Sequence, residues 1–387
     1  MKEQHPATQA IRTQIPRSQH MEHAAPIFMT SSFCFEDAEE MRATFADERE
    51  GNIYSRFINP NTTEFTDKMA ALEGAEAAYA MASGMAAISS TFLALLKQGD
   101  HILSCNAIFG STHTVLSKYL PKYGITHSYF SASEPDTWKD KIRENTRMIY
   151  VESPTNPGLD ILDLEKLGEL AREHHLIFVV DNCFATPVAQ TPVAYGADLV
   201  VHSGTKWLDG QGRVLGGVVA GRKDLVNEIY LFCRSMGASL SPFNAWILSK
   251  SLETLEVRME RHAANAHWLA EQLQDHTSIS KLRYPYLPSH PQHALARKQM
   301  KNGGGILCFE LKGGLEAGRN FLDNLKMLSL TANLGDTRSI ASHPASTTHA
   351  KLSEAEREAV GITAGLIRIS AGLEHREDIL NDILQAL

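Results

Sequence analysis

Short apolar runs recur through the middle of the chain, each too brief for a helix and each followed by a polar or glycine-containing turn. Ala77 to Met81, His101 to Ser104, Arg147 to Glu152, Leu176 to Val180, Leu199 to His202 and Gly217 to Ala220 read as strands. Thr66 to Glu73, Gly84 to Leu96, Thr112 to Tyr123 and Leu164 to His174 carry apolar positions at helical spacing. Short, almost wholly apolar strands alternating with helices predict an α/β fold with a mostly parallel central sheet covered on both faces. Pro242 to about His276 reads as one long helix or two abutting ones. Strand-like runs at Gly305 to Leu311 and Leu366 to Ala371, around a helix from Gly318 to Leu325, predict a smaller C-terminal α+β domain. Residues 1–60 show little periodicity and are punctuated by Pro6, Pro16, Pro26 and Pro60. Such a segment is either an arm that contacts a partner subunit or a surface loop. The expected organisation is an arm over 1–60, the α/β domain over 61–250 and the α+β domain over 251–387.

Composition narrows the function classes. With 387 residues there is ample material for a large core. A net charge of −8 excludes a general nucleic-acid surface, which needs a basic excess. The apolar runs are all shorter than a membrane-spanning helix, and the polar start lacks the apolar stretch of a signal peptide. The five cysteines are widely spaced and form no C-x-x-C, so reduced thiols in a cytoplasmic protein are expected. The 17 histidines fall into no ligand spacing, so no metal is expected.

In an open parallel sheet, ligands bind beyond the carboxyl ends of the strands. Four predicted strands end in chemistry: Ser83-Gly84-Met85 before a helix, Ser153-Pro154-Thr155-Asn156-Pro157, Asp181-Asn182, and Ser203-Gly204-Thr205-Lys206. The first offers backbone N–H groups at a helix start, suited to a phosphate, and Ser203 and Thr205 add hydroxyls. Each has a bland counterpart: an N-cap serine, a helix-capping aspartate, a lysine reaching from a strand end to water. Together they suit pyridoxal 5'-phosphate. Asp181 would keep a pyridine nitrogen protonated, and a buried Lys206 would have the lowered pKa of a reactive amine.

The chain resembles the fold-type-I PLP enzymes of the cystathionine γ-synthase family. The resemblance rests on Tyr54-Ser55-Arg56 with Asn59-Pro60, Ala71-Leu72-Glu73-Gly74, Ser83-Gly84-Met85-Ala86, Ser153-Pro154-Thr155-Asn156-Pro157, Asp181-Asn182, Ser203-Gly204-Thr205-Lys206, His343-Pro344-Ala345 and Arg368-Ile369-Ser370. It implies that Lys206 is the Schiff-base lysine, that Asp181 pairs with the pyridinium and that Asn156 bonds the ring hydroxyl. It further implies that Gly84, Met85, Ser203 and Thr205 hold the phosphate, with Ser83 at the same turn. Tyr54 and Arg56 would serve the neighbouring subunit's phosphate, making a homodimer the catalytic unit of a homotetramer. Arg368 would grip the substrate carboxylate.

Departures from the family pattern narrow the branch. Phe109 stands where a ring-stacking tyrosine is usual, so it stacks but exchanges no proton. Ser111 replaces the cysteine of the methionine γ-lyase branch, and Asn333 replaces the serine of the lyases. Asp209-Gly210-Gln211-Gly212-Arg213 is similar to the O-succinylhomoserine sulfhydrylase branch, and the Asn333-Leu334-Gly335-Asp336 pattern is shared with O-acetylhomoserine sulfhydrylases. The expected reaction is therefore γ-replacement on an O-acylhomoserine with sulfide. Arg213 would either hold the distal carboxylate of a succinyl ester or face solvent or a subunit contact. The rivals within the family are a cystathionine γ-synthase or a γ-lyase, which differ in the fate of the same intermediate, and two further readings are weaker. Ser203-x-x-Lys206 as a penicillin-binding-protein pair lacks S-D-N and K-T-G. A non-enzymatic binding protein would be expected to lose Lys206, Asp181 or Arg368, and all three are present.

Overall fold

The computed structural model describes residues 4–347, 357 and 361–387. The first three residues of the expected arm, and 348–356 and 358–360 of the expected C-terminal region, lie outside the described residues. Seven strands form the larger sheet: β1 (Ala77–Met81), β2 (His101–Cys105), β3 (Thr126–Phe130), β4 (Thr146–Glu152), β5 (Ile177–Asp181), β6 (Leu199–Ser203) and β7 (Gly217–Gly221). Their spatial order is β1-β7-β6-β5-β4-β2-β3. Neighbours from β3 through β6 are parallel, and β7 runs antiparallel to both β6 and β1. The mixed sheet is thus mostly parallel, as the apolar strands predict. Ile149, Val151, Val179, Val200 and Val201 are buried on both faces, and each fully buried side chain of this kind contributes about 1.5–3 kcal/mol.

The smaller sheet comprises β8 (Ile279–Arg283), β9 (Ile306–Leu311), β10 (Ser329–Leu330), β11 (Ile340–Ser342) and β12 (Leu366–Ser370), in the order β10-β11-β12-β9-β8. The Pro242–His276 stretch is two helices, Pro242–Leu252 and Leu255–Leu273. No helix among the described residues is long and apolar enough to cross a membrane.

Two elements differ from their expected form for physical reasons. The helix expected from Thr66 begins at Pro60. Asn59 caps it, its side chain accepting from the Asn61 N–H while the Thr62 hydroxyl accepts from the Asn59 N–H. Pro60 is the first helical residue, where its missing N–H costs nothing. The Thr112–Tyr123 helix begins at Gly110, widens over Val115–Tyr119 and tightens over Leu120–Tyr123. Pro121 lacks the N–H a regular turn would need there.

The helix Pro60–Glu73 carries a buried ion network. Lys68 Nζ donates to Glu64 Oε1 at 3.2 Å and to Glu253 Oε1 at 3.0 Å, and the Ser249 hydroxyl donates to Glu64 at 2.6 Å. The Lys68 and Glu64 side chains are 0% and 1% exposed. Removing one partner leaves an uncompensated buried charge. Lys68→Met should therefore destabilise the protein by about 3–5 kcal/mol. Adding Glu64→Gln should recover most of the loss. Thermal unfolding at fixed protein and cofactor concentration measures both.

Candidate active site

Because β4, β5 and β6 are parallel and β1 shares their direction, their carboxyl ends open on one edge of the sheet. Two of the four predicted turns meet there, together with the start of β7, in unusually close contact. Ser83 caps the helix Gly84–Leu95, its hydroxyl accepting from the Ala86 N–H at 3.1 Å. This leaves the N–H groups of Gly84 and Met85, the first two of the helix, without an intrahelical acceptor. A Cβ on Gly84 would lie 2.6 Å from Ser203 Cβ and 3.0 Å from Ser203 Oγ. A Cβ on Gly217, at the start of β7, would lie 2.0 Å from the Ser83 carbonyl oxygen. The two glycines thus let the helix start, the end of β6 and the start of β7 converge. Thr205 Oγ1 joins them, accepting from the Gly216 N–H at 3.3 Å. Backbone donors, two hydroxyls and a helix N-terminus form a donor set that fits a phosphate group.

Lys206 follows on the wide helical turn Gly204–Leu208. Its Nζ donates to Asn333 Oδ1 at 2.5 Å. Burial lowers its pKa from the ordinary lysine value, with Arg368 pushing the same way and Cys183 opposing. Arg368, on β12, is buried; its Nη1 donates to Asn156 Oδ1 at 3.1 Å and its Nη2 to the Asn333 carbonyl at 3.3 Å. Lys206, Asn156, Asn333 and Arg368 thus form one hydrogen-bonded cluster between the two sheets.

Asp181 ends β5. Its Oδ1 accepts from the Cys183 N–H at 2.9 Å and its Oδ2 from the Tyr150 hydroxyl at 3.3 Å. Burial raises its pKa, and the Cys183 N–H, His202 and Tyr150 act against that rise. Behind it, His202 and Asn182 both bond Glu73 Oε1, at 2.5 and 3.0 Å. Phe109 is partly exposed, and its N–H donates to Glu152 Oε1 at 2.7 Å. Met85 lies beside Thr112, whose hydroxyl approaches its sulfur at 4.0 Å.

Three predicted residues have other engagements within the protomer. Arg56 donates to the Arg234 carbonyl near the end of the helix Lys223–Met236 and lies over the Phe57 ring at 4.8 Å. Tyr54 is 40% exposed, with its ring against Phe57. Arg213 folds back on its own loop: Nε donates to Asp209 Oδ1 at 2.9 Å and Nη2 to Ser251 Oγ at 2.6 Å. That engagement favours a loop-holding role for Arg213 over a grip on substrate.

Sequence reasoning passed over Glu152, Tyr150 and Cys183. Glu152 and Tyr150 sit two apart on β4, and Glu152 stands in register with Asp181. Period-two alternation along β4 puts Glu152 and Tyr150 on one face, and only the register with β5 sets Glu152 beside Asp181. Burial pushes the Cys183 thiol up to about 12, so it is no thiolate nucleophile.

Comparison with known proteins agrees with this geometry. The family model of Cys/Met metabolism PLP-dependent enzymes matches residues 7–387. The chain is 44% identical to an O-succinylhomoserine sulfhydrylase of Pseudomonas aeruginosa, over 98% of this chain and 94% of that protein. It is 46% identical to an L-methionine gamma-lyase of Fusobacterium nucleatum, over 94% and 93%. A crystal structure from Campylobacter jejuni, described as an O-acetylhomoserine (thiol)-lyase with N'-pyridoxyl-lysine-5'-monophosphate, superposes with a TM-score of 0.94 at 35% identity, covering 98% of this chain and 99% of that one. With a family match over nearly its whole length and a fold-type-I architecture, this chain belongs to the Cys/Met metabolism PLP-dependent enzymes.

Proposed function

We propose that the protein catalyses γ-replacement on an O-acyl-L-homoserine, exchanging the acyl ester for sulfide to give homocysteine, with the succinyl ester favoured. The observation that carries this reading is Phe109. Held by Glu152 where a phenol is usual in the family, it brings no proton to the leaving group. A departing carboxylate needs none, since its conjugate acid has a pKa near 4–5, whereas an alkanethiolate leaving group, more basic than the cysteine value of about 8.5, gains from an acid. An ester substrate fits such a site better than methionine does. The sulfhydrylase relative supports the same branch. The lyase relative supports a γ-elimination reading, and an assay for homocysteine against 2-oxobutyrate separates the two.

In this reading the cofactor, when bound, supplies an electron sink for the substrate carbanion. Gly84, Met85, Ser203 and Thr205 hold its phosphate, and Asn156 orients its ring oxygen. The Asp181 carboxylate keeps the ring nitrogen protonated. Arg368 binds the substrate α-carboxylate through its guanidinium fork. Lys206 Nζ would take the Cα proton and later return one. Loss of the γ-carboxylate and addition of sulfide exchange a C–O bond for a C–S bond. Tyr54 and Arg56, engaged away from their own protomer's cluster, suit service to a partner subunit, so the proposed catalytic unit is a homodimer within a homotetramer. A cytoplasmic location suits this metabolism.

Lys206→Ala should abolish turnover and remove the borohydride-fixed link to cofactor. In the wild type only the neutral amine can attack, and burial lowers its pKa. Reloading of apoprotein with pyridoxal phosphate should therefore accelerate as pH rises and level off below 10.5, the ordinary lysine value, as followed by visible absorbance.

Asp181→Asn keeps the shape and removes the charge. We expect kcat to fall at least about a hundredfold, the worth of roughly 3 kcal/mol; a rate near that of the wild type would mean that another group protonates the ring.

Steady-state kinetics with sulfide should give a higher kcat/KM for O-succinylhomoserine than for O-acetylhomoserine. Arg213→Ala should lower both in equal proportion, as expected of a residue that braces a loop. A selective loss on the succinyl ester would instead identify Arg213 as the reader of its distal carboxylate.

A further inference from the structure

We propose that Glu152 is a positioning residue: kept protonated, it leaves the single negative charge of a buried carboxyl pair to Asp181 and fixes Phe109 through the Phe109 N–H. This rests on Asp181 as the partner of the cofactor ring nitrogen.

The geometry starts from the register of β4 and β5. Glu152 pairs with Asp181, and residues in register on adjacent strands project from the same face about 5 Å apart. Glu152 is buried. Two carboxylates so close in a low-dielectric site cannot both ionise, so one of them keeps a proton. Their surroundings decide which. Asp181 receives two hydrogen bonds, from the Cys183 N–H and the Tyr150 hydroxyl, and faces His202 on β6. Glu152 receives one, from Phe109 N. Four groups face the pair: Tyr150 on β4, Cys105 at the end of β2, Cys183 beyond Asp181 and His202 on β6. Among these His202 is the potential cation, and it acts on Asp181. The charge-stabilising groups are therefore gathered at Asp181, and the proton belongs on Glu152. Burial and the neighbouring Asp181 charge push the Glu152 carboxyl well above the usual carboxylate range.

The arrangement also explains why a carboxyl is useful at this place. Phe109 precedes the helix Gly110–Thr114 and has no side-chain cap of its own. A neutral carboxyl accepts its N–H through the carbonyl oxygen and so fixes the backbone that carries the stacking ring. It does so without placing a second anion beside the charge that the ring nitrogen needs.

The tests separate a neutral carboxyl from an anion. Infrared difference spectra of the holoenzyme, wild type minus Glu152→Gln, should show the carbonyl stretch of a protonated carboxyl near neutral pH. In an Asp181→Asn background the neighbouring charge is gone, so the same band should titrate away at lower pH than in the wild type. Glu152→Gln keeps a neutral acceptor of the same shape and should hold kcat/KM within about threefold of wild type. Glu152→Ala loses the acceptor for Phe109 N and should fall at least about tenfold. Absence of the carboxyl band, or a hundredfold loss in Glu152→Gln, would overturn the proposal by showing that Glu152 acts as an anion. The band needs no turnover, so it remains a test of Glu152 even if Asp181→Asn retains full activity and removes the assumed role of Asp181.

Discussion

The proposed chemistry requires a negative charge to persist at Asp181, at the end of a strand buried in the sheet. Burial alone would neutralise it. The surrounding architecture reads as the means of preventing that. The turn after β5 directs the Cys183 N–H back at the carboxylate, the Tyr150 hydroxyl approaches from β4, and His202 stands on the next strand. Further back, Glu73 holds both His202 and Asn182. The polar groups in an otherwise aliphatic sheet are concentrated where one charge has to survive.

The second constraint is that reactive groups from distant parts of the chain must be held together. Asn333 accepts from Lys206 through its side chain and from Arg368 through its backbone carbonyl, while Arg368 reaches Asn156. These bonds join the loop after β6, the turn after β4 and the smaller sheet. Lys206, Arg368, Asn333 and Asn156 therefore share one network. A displacement at any one of them is felt by the others.

Much of this was legible in the chain because ligands of an open sheet gather at strand ends, and strand ends are marked by polar punctuation. Ser83-Gly84, Asn156, Asp181 and Ser203 to Lys206 could be placed on one edge without knowing strand order. Glu152 could not, because its meaning depends on the register between two strands whose paired residues lie far apart in sequence. Arg213 was open to two readings for a related reason: a glycine-rich loop near the site suggested reach, while the buried Asp209 partner was visible only in three dimensions. Pro60 was read as punctuation although, after an asparagine cap, it starts a helix.

The convergence of Ser83, Gly84, Ser203 and Gly217 gives the phosphate cradle an inextensible backbone. Ser203 and Thr205 lie on the segment that carries Lys206, so between that part of the cradle and the amine stand a few backbone bonds and the lysine stem. The site therefore acts as a molecular ruler. Under the proposed function, a carbonyl compound would be presented to Lys206 only if its phosphate and its aldehyde are separated by a length that the cradle and the lysine stem together can span. Unphosphorylated pyridoxal, or an analogue with a longer tether, would match the pocket in chemistry and miss it in reach.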